Sequence, residues 1–481
     1  MNTLQEILQN IEANAPMTID EILREEIKDW EKSDERKLML LGQKYYRVKN
    51  KILERTRQVI DAYGKLSEVK NLADNRIPHG FVRKLVDQKT GYLLSRPFIP
   101  KTEDKTYQDL LDDYFDEDFK RMLKNTGKDA INCGKAWLQV YYNEQGDLSF
   151  MRIPPHEVIP IWRDTAHTEL DAVIRVYEVT MYEARQKKII RKAEFWDTSG
   201  VRLYEAADGG EFRFLETKGH FSAVSKSPEG EAVEEPMSWE QVPFICFKYN
   251  DEEQPLIDII QKMVDDYDRN RSDNSNNLED LPNSTYVVKD YDGTDAASFR
   301  KNVSQYRVIF VRGDGDVKTI SLELDTEAHK MHIEQTRKDI YEFGRGVDTQ
   351  SERFGNSPSG VALKHLYADL DLDANDIESE FQASLNRLLW FIDTHIYNTS
   401  QKDYSEEKVT FIFNRDMAIN ESEIVTNAKD SVGIISKKTI VANHPWVTNT
   451  DDEIKQFEEE EAADQQRFNK GQYDGLEDEP S

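Results

Sequence analysis

A chain of 481 residues is long enough to bury a sizeable core, and a length prior of roughly 150 residues per unit suggests several structural units. Hydrophobic residues make up 38% and charged residues 32%, polar for a globular protein, but an aromatic content of 10% excludes wholesale disorder. A formal charge of -29 excludes a tight, closed DNA clamp, because such clamps need Lys and Arg to release counterions from phosphates, so any DNA contact should be weak, local or sliding.

Cys133 and Cys246 are too few and too far apart for a disulfide framework or a zinc site, which fits a reducing cytoplasm. The opening MNTLQEILQNIEANAP is acidic where a secretory signal is basic, and no apolar run approaches the ~20 residues that span a bilayer. The expectation is a protein made and used in solution, without a membrane partner.

Residues 19–69 read as charged helix, with Ile22, Ile27, Trp30, Leu38, Leu41 and Tyr45 at three- and four-residue spacing. After Asn75-Arg76-Ile77-Pro78-His79-Gly80, a stripe of Phe81, Leu85, Val86, Thr90 and Leu93 predicts a second helix, stopped at Ser95-Arg96-Pro97. From Ala136 to about Phe214 the period becomes two and aromatic and β-branched residues dominate, which predicts an antiparallel meander. Residues 218–236 lack a period and read as an exposed loop.

A helix opens at Pro255 with Leu256, Ile259, Met263 and Tyr267 on one stripe. Beyond Tyr267 the run DRNRSDNSNNLED has almost nothing to bury, so a continuing helix is expected to lie against water or neighbouring subunits, a first hint of an oligomer. Strand-like runs at 284–289, 306–311 and 317–322, with a turn at Gly313-Asp314-Gly315-Asp316, suggest a compact α/β insertion. A helix over 326–343, ~27 Å at 1.5 Å per residue, ends at Gly344 and Gly346, and VDTQSERFGNSPSG reads as a mobile loop. Ser357-Pro358 then caps the longest helix, striped by Leu363, Leu366, Leu370, Ala374, Ile377, Phe381, Leu385, Leu388 and Ile392. A strand at 408–414, charged helices over 420–463 and an acidic tail finish the chain.

Several chemical motifs weaken on inspection. Asp369-Leu370-Asp371-Leu372-Asp373-Ala374, with Glu380 at the twelfth position, imitates a calcium loop, but Ala374 replaces the required Gly and the apolar stripe demands helix. Arg312-Gly313-Asp314 reads as a hairpin turn, and Gly344-Arg345-Gly346 lacks phosphate-loop spacing. His329 and His332 share a helix face, yet no HExxH or paired ligand spacing exists, so neither metal nor cofactor is expected. The acidic run Glu458 to Glu461 reads as a solvated face.

Four segments together resemble the portal family of long-tailed bacteriophages, over roughly residues 72–460. They are Asn75-Arg76 with Gly91-Tyr92-Leu93-Leu94-Ser95-Arg96-Pro97; Pro154-Pro155-His156-Glu157-Val158-Ile159-Pro160-Ile161-Trp162; Tyr267 through Asp280 with Ser272-Asp273-Asn274; and Gly346-Val347-Asp348 followed by Ser359-Gly360-Val361-Ala362-Leu363-Lys364. The resemblance implies an α+β, mainly α-helical, multi-domain portal fold that forms a ring oligomer, usually of 12 subunits, with a central channel. It implies an N-terminal α/β wing (1–254), a first stem helix (255–280), an α/β clip (281–324), a second stem helix (325–345), a tunnel loop (346–359), a long wing helix and strand (360–419), a helical crown (420–463) and an acidic disordered tail (464–481).

The implied function is a non-enzymatic channel at one capsid vertex through which double-stranded DNA is packaged and ejected. Implied partners are the terminase large subunit, the scaffolding protein, the major capsid protein and a head-completion adaptor, in a virion assembled in the host bacterial cytoplasm. Thr349, Gln350, Ser351, Glu352, Arg353, Phe354, Asn356 and Lys364 are the expected DNA-facing residues, with Gly344, Gly346, Gly355 and Gly360 as loop hinges. The alternatives are a metal-dependent DNA-processing enzyme, which needs carboxylates converging on a divalent ion, or another capsid-associated structural protein.

Overall fold

The N-terminal stretch folds as two helices, α1 (Ile19–Lys32) and α2 (Asp34–Tyr46), separated at Ser33. The Ser33 hydroxyl donates to the Trp30 carbonyl and accepts the Arg36 N–H, so one side chain closes the first helix and caps the second. The computed structural model describes residues 19–60, 65–68, 73–96, 98–183, 186–207, 210–226, 232–279, 284–289, 316–321, 326–350, 360–415, 421–444, 446–447 and 449–473. Helix was expected to continue to 69, but Val48 takes a left-handed φ of 58°, a 3-10 turn follows, and a short hairpin of β1 (Gln58–Ile60) and β2 (Leu66–Glu68) replaces it.

By contacts the chain divides into two units, Met1–Gly346 with Leu372–Arg415, and Val347–Asp371 with Asp416–Ser481. In the first, α3 (Phe81–Leu94), β3 (Ile99–Lys101), α4 (Lys105–Tyr114) and α5 (Glu117–Cys133) follow the hairpin. The sequence reading assigned nothing to α4 and α5, although each starts at an Asp cap: Asp104 and Asp116 accept the N–H groups of Tyr107 and Phe119. Helices α2 and α5 approach so closely that a Cβ on Gly42 would lie 1.9 Å from the Asn132 carbonyl oxygen.

The period-two region makes two sheets, not one meander. β4 (Lys135–Tyr142) and β5 (Leu148–Ile153) join a distant strand, β13 (Phe244–Lys248), in the order β13-β4-β5. β6 (Val158–Trp162), β7 (Leu170–Glu183), β8 (Gln186–Asp197), β9 (Gly200–Ala207) and β10 (Arg213–Lys218) form the antiparallel meander. Pro154 and Pro155, which cannot donate to a ladder, and the 3-10 turn at Pro155–Glu157 separate the two sheets.

Alternation then sends neighbours to opposite cores. Ile159, Ile161, Ile174 and Phe195 pack with Leu23, Ile27 and Trp30 of α1, whereas Val158, Trp162, Val173 and Trp196 pack with Trp137, Phe244 and Cys246 of the three-stranded sheet. Both cysteines are free and buried, and burial raises both thiols, Cys246 to about 12. The expected loop at 218–236 contains a hairpin of β11 (Phe221–Lys226) and β12 (Ala232–Met237). Composition hid it because one aromatic anchors it: Phe221 packs 4.9 Å from Tyr142 and 5.0 Å from Trp239.

Helix α6 (Leu256–Glu279) begins after Glu253, whose carboxylate accepts Lys135 at 2.6 Å and pairs with His167 at 2.7 Å. One face of its polar half finds partners within the chain, beyond the water or neighbouring subunits expected for it. Asp268 accepts the His79 N–H, Ser272 the Ile77 N–H and Asn276 the Asn75 N–H, at 2.9, 3.0 and 2.6 Å. Four helical residues rise ~6.0 Å and two extended residues ~6.6 Å, so acceptors four apart meet donors two apart in register. Asn50 and the His79 ring complete the set on Asp268, which is fully buried.

Beyond α6, β14 (Ser284–Lys289) pairs with β15 (Asp316–Ser321), and the 306–311 run and the Arg312-Gly313-Asp314 turn lie outside the described residues. α7 (Thr326–Phe343) returns antiparallel to α6, its His332 bonded to Asp266 at 2.9 Å. The long α8 (Gly360–Ser400) carries Ile377, Phe381, Leu385, Leu388 and Ile392 fully inside. β16 (Thr410–Ile412) pairs with β3, and Phe411 and Phe413 close an aromatic cluster with Phe98.

The second unit contains α9 (Glu421–Asp430), α10 (Lys437–Ala442) and α11 (Thr450–Tyr473). The Lys437 ammonium sits 3.3 Å from the Phe457 ring centre and Lys438 pairs with Asp451 at 2.8 Å. α11 runs to Tyr473 rather than ending near 463, because Ala462, Ala463, Gln465, Gln466 and Arg467 all favour helix.

Ser272→Ala should leave the Ile77 N–H, in a partly buried site, without its acceptor and destabilise the chain by about 1 kcal/mol, measured as a lowered unfolding midpoint in denaturant.

Candidate DNA-contact loop and the turn that enters it

The predicted loop is entered from the end of α7. Only Thr336, Ile340 and Tyr341 of that helix are buried. Tyr341 and Tyr267 both pack edge-on against Phe81 of α3, at 6.0 and 4.9 Å, so three helices share one aromatic contact.

The helix closes in a Schellman turn: the Gly346 N–H donates to the Tyr341 carbonyl at 2.8 Å and the Arg345 N–H to the Glu342 carbonyl at 3.1 Å. The left-handed position of this turn normally falls to glycine. Here it falls to Arg345, with φ of 48°. The two glycines expected to be hinges are closely packed in this conformation. A Cβ on Gly344 would lie 2.8 Å from Leu85 Cδ1, and one on Gly346 only 2.1 Å from Leu85 Cδ2. Neither takes a left-handed φ.

A buried charge network holds this turn. Lys89 of α3, 1% exposed, donates to the Arg345 carbonyl at 3.2 Å and to Asp373 Oδ2 at 2.8 Å. The other oxygen of Asp373 accepts the Tyr249 hydroxyl at 2.8 Å. The Arg345 guanidinium reaches Asp376 at 3.0 Å and lies 3.9 Å from Asp373. Burial pulls the Lys89 ammonium below its ordinary lysine value, and the Asp373 charge and hydrogen bond oppose that pull. Burial, then the same carboxylate, pushes the Tyr249 hydroxyl well above its usual range, so it stays a donor.

Of the expected contact residues, Thr349 and Gln350 are exposed in a turn, and the Gln350 N–H donates to Asp348 Oδ1 at 3.1 Å. Ser351, Glu352, Arg353, Phe354, Gly355 and Asn356 lie outside the described residues, as does the expected Ser357-Pro358 cap. Gly360 opens α8, and the Lys364 backbone is helical, its side chain also outside the description.

Lys89, Tyr249, Arg345 and Asp373 were not anticipated. The signal was present in two of them: Lys89 falls on the buried stripe of α3 between Val86 and Leu93, and Asp373 on that of α8 beside Ala374. Opposite charges on two buried stripes point to a pair. The calcium-like run is continuous helix, with Asp373 committed to Lys89 and Tyr249. Among the described residues no group of three or more His, Cys, Asp or Glu side chains could hold a metal ion, and no helix is long and apolar enough to cross a membrane.

Residues 25–467 match the family described as phage portal protein, SPP1 Gp6-like. The chain belongs to this portal protein family. The portal protein of Bacillus phage SPP1 is 30% identical over 425 residues, covering 88% of this chain and 83% of that protein. The portal protein of Clostridium phage phiCD119 is 31% identical over 446 residues, covering 88% and 93%. A solved structure titled as the neck of a native GTA particle computed with C12 symmetry aligns at TM-score 0.36 and 10% identity, over 75% of this chain and 88% of that one, too weakly to carry an argument. The chain is thus a phage portal protein, with the genome-packaging and connector roles of that family. Two of the segments that carried the resemblance, around Asn75 and around Ser272, are the two sides of the hydrogen-bonded strip on α6.

Asp373→Ala should leave the Lys89 charge buried without its carboxylate and destabilise the portal chain by about 3–5 kcal/mol, whereas Asp376→Ala, in a half-exposed pair, should cost no more than about 1 kcal/mol; thermal unfolding of both variants checks the contrast.

Proposed function

We propose that this portal chain assembles into a ring, of twelve subunits, at the capsid vertex, with α6 and α7 as stem helices and residues 346–359 as the tunnel loop. The observation that supports this reading best is the α6–α7 hairpin. It carries the β14–β15 ladder at one end and, at the other, a tightly closed turn that delivers the chain into a polar loop and then into α8. On this reading residues 281–324 form the clip, 1–254 and 360–419 the wing, and 420–463 the crown, which α11 extends to Tyr473.

The charge balance gives the channel its mode of action. An acidic wall repels phosphates and leaves a duplex free to slide, where a basic wall would grip and stall it. Brief contacts then come from Thr349, Gln350, Ser351, Glu352, Arg353, Phe354, Asn356 and Lys364, with Arg353 the one basic residue between Val347 and Ser359. Gly344, Gly346, Gly355 and Gly360 are the proposed hinges that let the loop change shape. The driving motor is another protein. The proposed partners are the terminase large subunit, the scaffolding protein, the major capsid protein and a head-completion adaptor, in particles assembled in the host cytoplasm.

Electron microscopy of the purified protein should show rings with a central hole; compact monomers at every concentration would overturn the ring. Deleting residues 351–356 should leave rings intact and reduce packaged DNA, and normal packaging through such rings would remove the loop from the mechanism.

A further inference from the structure

We propose that Lys89 is a positioning residue for the tunnel loop: its buried ammonium fixes the turn from which residue 347 leaves against the helix to which the chain returns. The inference rests on the reading of residues 346–359 as that loop. One ammonium bonds the last turn before the segment and the helix after it: the Arg345 carbonyl at 3.2 Å and Asp373 Oδ2 at 2.8 Å. Tyr249, just after β13, binds the second Asp373 oxygen, so the carboxylate is held from two other elements.

Two features mark this as more than packing. Lys89 and Asp373 are 1% and 5% exposed, where an apolar pair of similar volume would fold at least as well, so the charges contribute specificity of arrangement rather than stability. Arg345 holds a left-handed backbone that its side chain disfavours, and the groups that keep it there are the Lys89 bond on its carbonyl and Asp376 on its guanidinium.

The test uses full-length rings of the variant Lys89→Met/Tyr249→Phe/Asp373→Leu, in which apolar groups replace the whole clamp. The expected result is an unchanged ring and an unfolding midpoint equal to or above the parent's, with amide exchange at Arg345 and Gly346 about tenfold faster and packaged DNA about tenfold lower. Parental exchange and parental packaging in these rings would overturn the proposal. Should the triple variant fail to fold, Tyr249→Phe alone, which loosens Asp373 and keeps the ion pair, must still speed exchange at Arg345 and Gly346; no change there would also overturn it. Rings lacking residues 351–356 separate the two claims. Normal packaging by those rings refutes the loop reading while the exchange measurement still decides the clamp; impaired packaging by them, with normal packaging by the triple variant, refutes the clamp alone.

Discussion

The arrangement of this chain depends on a match between two repeats. A helix rises ~6.0 Å in four residues and an extended chain ~6.6 Å in two, so Asp268, Ser272 and Asn276 can each accept an N–H from His79, Ile77 and Asn75. The extended segment gains the partners that a sheet would have provided, and the polar half of α6 gains a reason to be helical without an apolar face. That strip fixes the entry to α3. Phe81 of α3 then packs on both α6 and α7, and the depth of Leu85 sets how closely the end of α7 can approach.

Polar groups inside the chain thus do two different kinds of work. Along α6 they are neutral or singly charged acceptors for backbone donors, and removing one leaves an orphan N–H. At Lys89 they are full charges whose mutual attraction roughly offsets the desolvation of both, so their value is geometric: a pair with one satisfactory arrangement specifies position more sharply than leucines do. The first arrangement shapes the α6–α7 hairpin, and the second stands where the proposed tunnel loop leaves it.

The acidity of the chain fits the same division between scaffold and passage. A portal must let DNA through rather than hold it, and a net charge of -29 opposes adhesion to phosphate overall. On the proposed reading specific contact falls to a few residues on a loop, entered from a turn whose Lys89–Asp373 pair is buried and internally paired.

Periodicity made α3, α8 and the inner strands of the β6–β10 meander legible, because each has an apolar stripe that must face a core whatever the rest of the chain does. The order of four short segments was enough to assign the portal family. Composition misled where one residue outweighed its neighbours: Phe221 anchors a hairpin in a stretch of small and charged residues, and Val48 ends a helical pattern by a backbone angle. The same limit applies to the loop base. Sequence placed Gly344 and Gly346 at the end of a helix and read them as hinges, since glycine there normally supplies the left-handed turn. Only the tertiary structure shows that Leu85, some 260 residues earlier in the chain by the reach of α3 back to this turn, needs the space of both, and that Arg345 takes the strained position. Local pattern determines which face of an element is buried; which distant atom arrives against that face, and so whether a glycine bends or a lysine clamps, is decided by packing between segments far apart in sequence.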